Sequence, residues 1–189
     1  MKLKNLHRRL LALGLLGLGA CSVPHTSKPP KFTGECHIPP GAVSVLPDSY
    51  SSRITISSSS SDLSLNLYLE KDGQSILIVA LNDFGNKLFT SRYEKGSFTV
   101  VETVYLKGAT DPEGLSNLLL LGMLDKSSAQ AYSSSCGLSI NFIDQDHAFD
   151  ILKGGTRLMR KEALSHDGKR NFSFYDFESS RVFRVKEIS

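Results

Sequence analysis

The sequence predicts a mainly β domain with one α insertion. Three observations carry that prediction: short runs with apolar residues at alternate positions, glycine-bearing turns between them, and one leucine-dense segment that breaks the pattern midway. With 189 residues, 40 % of them hydrophobic and 22 % charged, the chain has material for a single core and is too apolar for disorder.

The elements follow in chain order. Residues 53–56 read as a strand ahead of the five-serine run 57–61, a solvated loop. In 62–70 the side chains Leu63, Leu65, Leu67 and Leu69 fall on one face with mostly polar residues opposite, as in a strand with one wet face. Lys71-Asp72-Gly73-Gln74 is a turn, and 75–81 (SILIVAL) is a more buried strand rich in β-branched residues. Asn82-Asp83-Phe84-Gly85 turns again, and strands at 86–93 and 97–106 flank a third turn at 94–96. These spacings describe an antiparallel meander.

The pattern changes at Asp111-Pro112-Glu113, which combines an N-cap acid, a proline in the first turn and a carboxylate at the positive end of the dipole. The helix predicted over 112–124 carries Leu115, Leu118, Leu119, Leu120 and Leu121, so it is apolar nearly all round and buried on most sides. Residues 125–135 are polar, with a weaker helical turn. Strands resume at 138–143, 149–152, 156–162, 171–177 and 181–188. One domain over 36–189 accounts for all of them.

A different kind of segment precedes it. A basic start is followed by an eleven-residue apolar stretch, 10–20 (LLALGLLGLGA). That length suits a signal peptide, since a membrane span needs about 20 apolar residues. Leu18-Gly19-Ala20-Cys21 resembles the bacterial lipobox, in which small residues admit the peptidase and the cysteine thiol takes up diacylglycerol. Residues 1–20 are then the signal peptide and Cys21 the lipidated first residue; the other reading is an ordinary signal peptide with a chance cysteine. Acyl chains on Cys21, at about 0.8 kcal/mol per buried CH₂, make a firm membrane anchor. Ser22 stands where Asp retains enteric lipoproteins in the inner membrane, so resemblance to that rule implies the outer membrane, facing the periplasm. Residues 21–35, with Pro24, Pro29 and Pro30, form a tether.

The formal charge of +3 comes from this leader, which holds Lys2, Lys4, Arg8 and Arg9 and no acid. Without those four, 18 basic residues face 19 acidic ones, a net of −1 that gives no electrostatic footprint for nucleic acid. Two cysteines remain, Cys36 and Cys136, which in an oxidising compartment make one disulfide; the alternative is two separate buried thiols. Their spacing is unlike a metal site.

Catalytic signatures are missing. No nucleophile elbow, zinc-protease helix, P-loop or dinucleotide fingerprint occurs, so the expectation is a non-enzymatic protein with no cofactor. Asp144-Gln145-Asp146-His147 and His166-Asp167-Gly168 read as polar turns. Arg157, Arg160, Lys161, Lys169 and Arg170 form a mildly basic stretch, facing either lipid headgroups or solvent.

The arrangement of lipobox, meander, apolar helix and second set of strands resembles the lipoprotein-localisation factors LolA and LolB. The likeness is strongest over 76–124, where an apolar strand, an Asn-x-x-Gly turn, two strands and a short helix follow one another. The same stretch is similar to a family of uncharacterised outer-membrane lipoproteins found beside aryl-polyene and fatty-acid-like biosynthesis genes, in which the strand Gly85-Asn86-Lys87-Leu88-Phe89-Thr90 recurs as G-x-(R/K)-L-F-T. This second likeness is the nearer. Both imply a strongly curved antiparallel sheet, an incomplete β-barrel covered by a short apolar helix. A leucine-rich helix across a greasy concave face leaves a cavity for acyl or polyene chains unless the core is filled. The expected lining is Leu63, Leu65, Leu67, Ile78, Phe89, Leu118, Leu119 and Leu121. The implied function is binding or transfer of a lipid-like ligand or a lipoprotein. The alternative is a scaffold lipoprotein that holds an envelope protein by a sheet edge or by residues 125–135. No counterpart of LolB's exposed hydrophobic loop stands out in the sequence.

Overall fold

The computed structural model describes residues 38–39, 41–94, 96–104, 111–144, 147–164 and 168–188. Cys21, Cys36, the leader and the tether lie outside the described residues, as do Gln145, Asp146, His166 and Asp167.

Among the described residues, ten strands form one antiparallel sheet that does not close, and two short helices join its halves. The first half is β1 (Ser49–Ser57), β2 (Asp62–Asp72), β3 (Ser75–Leu81), β4 (Lys87–Glu94) and β5 (Ser97–Thr103). Helices α1 (Pro112–Met123) and α2 (Lys126–Ser135) follow. The second half is β6 (Ser139–Asp144), β7 (Ala148–Lys153), β8 (Thr156–Ala163), β9 (Phe172–Asp176) and β10 (Arg181–Glu187). The spatial order is β5-β4-β3-β2-β1-β10-β9-β8-β7-β6, so two meanders meet where β1 pairs β10, with Ile54 opposite Val185 and Ile56 opposite Phe183.

Alternation sets the inner face. Leu65, Leu67 and Leu69 of β2 are buried, and across the ladders Leu67 stands opposite Ala80 and Leu69 opposite Ile78. The inner face continues through Ile78 opposite Ser91 and Ala80 opposite Phe89. In the second half it runs through Phe174, Lys161 and Phe149, each opposite the next. Bulges shift the register at Ala80/Leu81 and Ile151/Leu152. The β3–β4 turn is built by Asn82, whose side-chain oxygen accepts from the N–H groups of Phe84 and Asn86, while Gly85 takes the positive φ of 79° that the turn requires.

Helix α1 lies against this inner face. Asp111 caps it by accepting from the Glu113 N–H, and Pro112 occupies the first turn. Its residues Gly114 to Leu121 are all buried, as a helix apolar all round requires. Ser116 hydrogen-bonds Ser91 of β4 and donates to the Pro112 carbonyl. Six residues on, Gly122 lies directly against the ring of Phe172 on β9. The expected weak turn over 125–135 is a ten-residue helix, held by Ala129 and Tyr132 in the core and by the Tyr132 hydroxyl donating to Asn117 of α1. Strand β1 starts at Ser49, four residues ahead of the expected strand, because Tyr50 and Ser52 occupy inner positions. Strand β5 ends at Thr103; residues 105 and 106 of the expected strand lie outside the described residues.

Candidate functional site

The expected lining residues are where alternation put them, inside the core. Leu65, Ile78, Phe89, Leu119 and Leu121 are fully buried, Leu67 and Leu118 are within a few per cent of it, and Leu63 packs on the core edge. The leucines of α1 are buried, and the helix packs against β4 and β5.

A cavity lies where α1 gives way to α2, with about 300 Å³ against β6, β7 and β8. Its apolar wall is Leu124, Ala129, Phe142 and Phe149, and its polar wall is Asp125, Lys126 and Lys161. The sequence folds this way because Leu124 is the C-cap of α1 and Asp125 the N-cap of α2, so the two helices turn with no linker. The Asp125 carboxylate accepts from the Ser128 N–H at 2.9 Å and from the Ser127 hydroxyl at 2.8 Å. Those bonds hold its pKa below the usual carboxylate range.

Both lysines sit on aromatic rings. The Lys126 ammonium lies 4.5 Å from the centroid of Phe142. That of Lys161 lies 5.3 Å from Phe149 and 5.9 Å from Phe172. Lys161 is only 7 % exposed. Phe142 and Phe149 meet edge to face at 5.7 Å. The basic stretch of the sequence is therefore not one patch. Lys161 points inward, whereas Arg160 pairs with Asp150 through 2.8 and 3.2 Å bonds on the opposite face, and Arg157 stacks on Phe177.

Two surface features were not legible as such. Phe84, at the tip of the β3–β4 turn, is 90 % exposed, at the end of the sheet away from the cavity. On the edge strand β5, Val100 and Val101 are exposed, as is Val104 just beyond it. Among the described residues no His, Cys, Asp or Glu cluster is arranged to hold a metal, and no helix is long and apolar enough to cross a membrane. Cys136, the C-cap of α2, is buried and is not a free thiol.

No curated protein matches the chain. Residues 49–169, from β1 into the β8–β9 connection and more than half of the sequence, match a family described as Protein of unknown function (DUF3261), and the chain belongs to that family.

Proposed function

We propose that this protein is a non-enzymatic lipoprotein, anchored in the outer membrane through Cys21 and facing the periplasm, that binds or passes on a lipid-like ligand. An acyl chain, a lipoprotein or an aryl-polyene-type lipid is the class of cargo, and a LolA/LolB-like half-barrel is the container. The observation that carries this reading is the cavity at the α1–α2 junction, walled by Leu124, Ala129, Phe142 and Phe149.

Two distances support the half-barrel. Five strand spacings separate β4 from β9, about 24 Å in a flat sheet. Ser116 and Gly122 of α1 touch those two strands from positions about 9 Å apart along the helix. A sheet that meets one helix at both places curls around it. The curl brings β6 to β8 beneath the α1–α2 junction, and the cavity there is the proposed ligand seat. Phe84 supplies the exposed apolar side chain that a delivery role needs.

The test is lipid retained by the full chain. Organic extracts of protein purified in nanodiscs contain bound lipid in excess of the bilayer's own composition, and Ala129→Phe, which fills the cavity, removes that excess. An empty wild-type cavity that takes up no fluorescent fatty acid overturns the proposal.

A second reading rests on the β5 edge. Unpaired strand edges with exposed valines accept a partner's strand. A photocrosslinker at Val101 that captures one specific envelope protein, from a chain that binds no lipid, favours a scaffold role.

A further inference from the structure

We propose that the outer face of the β1–β10 seam docks on an anionic lipid bilayer; this rests on the membrane-anchored reading above and assigns the face that the anchored domain turns to its membrane. Charge comes first. The outward positions are Ser51, Arg53, Thr55 and Ser57 on β1 and Val182, Arg184 and Lys186 on β10, with Ile188 just beyond. Three of these are exposed cations and none is an acid. Asp83 reaches Arg53 from the β3–β4 turn at 2.9 Å, and three cations against one carboxylate leave +2. Asp62, Glu70 and Asp72 of β2 share this face but stand toward the ends of the strand, whereas Asn66 is the residue opposite Arg53. On its other side Arg53 stands directly opposite Lys186. Like charges so placed repel, and an anionic surface relieves them.

Apolar surface comes second. Tyr68 is 42 % exposed and Ile188 43 %. They flank the small Ser51: Tyr68 is its partner across the β1–β2 ladder, and Ile188 donates its N–H to the Ser51 carbonyl. Half-buried Val79 of β3 stands on the far side of Tyr68. A tyrosine and two aliphatic side chains beside a row of cations suit a lipid interface, where apolar bodies enter the acyl boundary and charges meet phosphates. Position comes third. Strands β1 and β10 are the central pair of the ten, so a bilayer beneath them leaves both free edges and the helix-covered inner face turned away from it. Residues 22–37, sixteen in number, reach at most about 55 Å when fully extended. The anchor thus holds the domain near the surface, and a contact too weak to capture a free domain suffices.

The chain has no tryptophan, so one introduced indole reports alone. The acylated full chain is placed in nanodiscs of phosphatidylcholine, or of equimolar phosphatidylcholine and phosphatidylglycerol, with acyl chains brominated to quench indole emission. In the phosphatidylglycerol discs Tyr68→Trp is quenched, and Val101→Trp on the β5 edge is not. Quenching of Tyr68→Trp falls in phosphatidylcholine alone. Arg53→Gln and Lys186→Gln each lower the docked-to-undocked ratio about fivefold, the scale of one cation at an anionic surface. Both positions are exposed, so an unchanged thermal midpoint accompanies each replacement. Tyr68→Trp unquenched in both discs, or Val101→Trp quenched in its place, overturns the docking surface and leaves the anchored reading standing. So does quenching that ignores both lipid charge and the two substitutions. A Cys21 peptide that carries no acyl mass overturns both readings.

Discussion

Gly122 is the position where the packing of α1 on the second half of the sheet is tightest. A Cβ placed there would stand 2.1 Å from Phe172 Cε2, 2.3 Å from Cζ and 2.7 Å from Cδ2. Ordinary contact needs more than a further ångström. The ring has nowhere to go: Phe172 is 2 % exposed and meets Phe174 edge to face at 5.8 Å. Gly122→Ala therefore sets two effects against each other. Alanine raises helix propensity by up to about 1 kcal/mol, less here because Gly122 lies in the last turn. Overpacking a filled core costs about 1–3 kcal/mol, and a clash this deep lies at the upper end. The expected net effect is a loss of about 1–3 kcal/mol, a fall of roughly 2–10 °C in Tm for a domain of this size. Urea unfolding followed by circular dichroism reads it as a lower midpoint with an unchanged slope. Shortening the ring isolates the cause: in a Phe172→Leu background, Gly122→Ala costs little, so the two substitutions are strongly non-additive. A Gly122→Ala protein as stable as the parent refutes the close approach of α1 to β9, and with it the curl of the sheet.

Other outcomes follow from the same contacts. Ser116→Ala leaves the buried Ser91 hydroxyl without its partner and costs about 1–3 kcal/mol, whereas Ser91→Ala/Ser116→Ala costs distinctly less; equal costs in urea melts contradict the pairing. Asp125 has a lowered pKa in the folded state, so its contribution is complete above the ordinary carboxylate range and is lost as pH falls through the lowered value. Asp125→Ala accordingly costs about 1 kcal/mol at neutral pH, and the gap from the parent narrows on acidification; a pH-independent gap argues against the cap. If Cys36 pairs with Cys136, thiol titration of the unfolded, unreduced mature chain finds no free thiol once Cys21 is acylated, and reduction lowers stability by up to about 4–5 kcal/mol on the chain-entropy account. Two titratable thiols per acylated chain exclude the pair.

How far the sequence discloses the fold depends on what each residue answers to. The leucines of 62–70 answer to one buried face, and that face alone sets their period; β2 is visible for that reason. Asp111-Pro112 marks a helix start by local backbone chemistry, and α1 begins there. Helix α2 is different. Its sequence KSSAQAYSSS has weak intrinsic propensity, and its helicity depends on Ala129 and Tyr132 finding a core and on Asn117, fifteen residues away, accepting the tyrosine proton. In β1 the serines hide a strand, because Ser52 fills an inner position where a larger side chain would be expected. The candidate site is the least legible part. Period-2 phasing with Met159 already puts Lys161 on an inner face, but nothing local says that this face meets Leu124 and Ala129. The basic stretch reads as one patch until the pleat divides Arg160 from Lys161. The expected lining residues Leu65, Leu67 and Ile78 are buried on the inner face as their alternation predicts, while the cavity at the α1–α2 junction lies where one helix ends and the next begins, which no local pattern marks.

The adjacency of β1 and β10 has a consequence for how the chain is made. Among the described residues, every other ladder joins strands that follow one another in sequence, whereas Ser52 meets Glu187 across 135 positions. Each half is thus a set of local zippers, and one suture stitches the halves together. Drawing its ends together costs only about 4 kcal/mol, since loop entropy grows with the logarithm of length. That stitch waits for β10, which follows the nine other described strands in chain order. A polypeptide truncated before Arg181 bares Ile54 on one raw flank and Phe174 on the other, both ready to pair with a stranger. Each half can therefore zip by itself, and the two remain unjoined until β10 takes its place between β9 and β1.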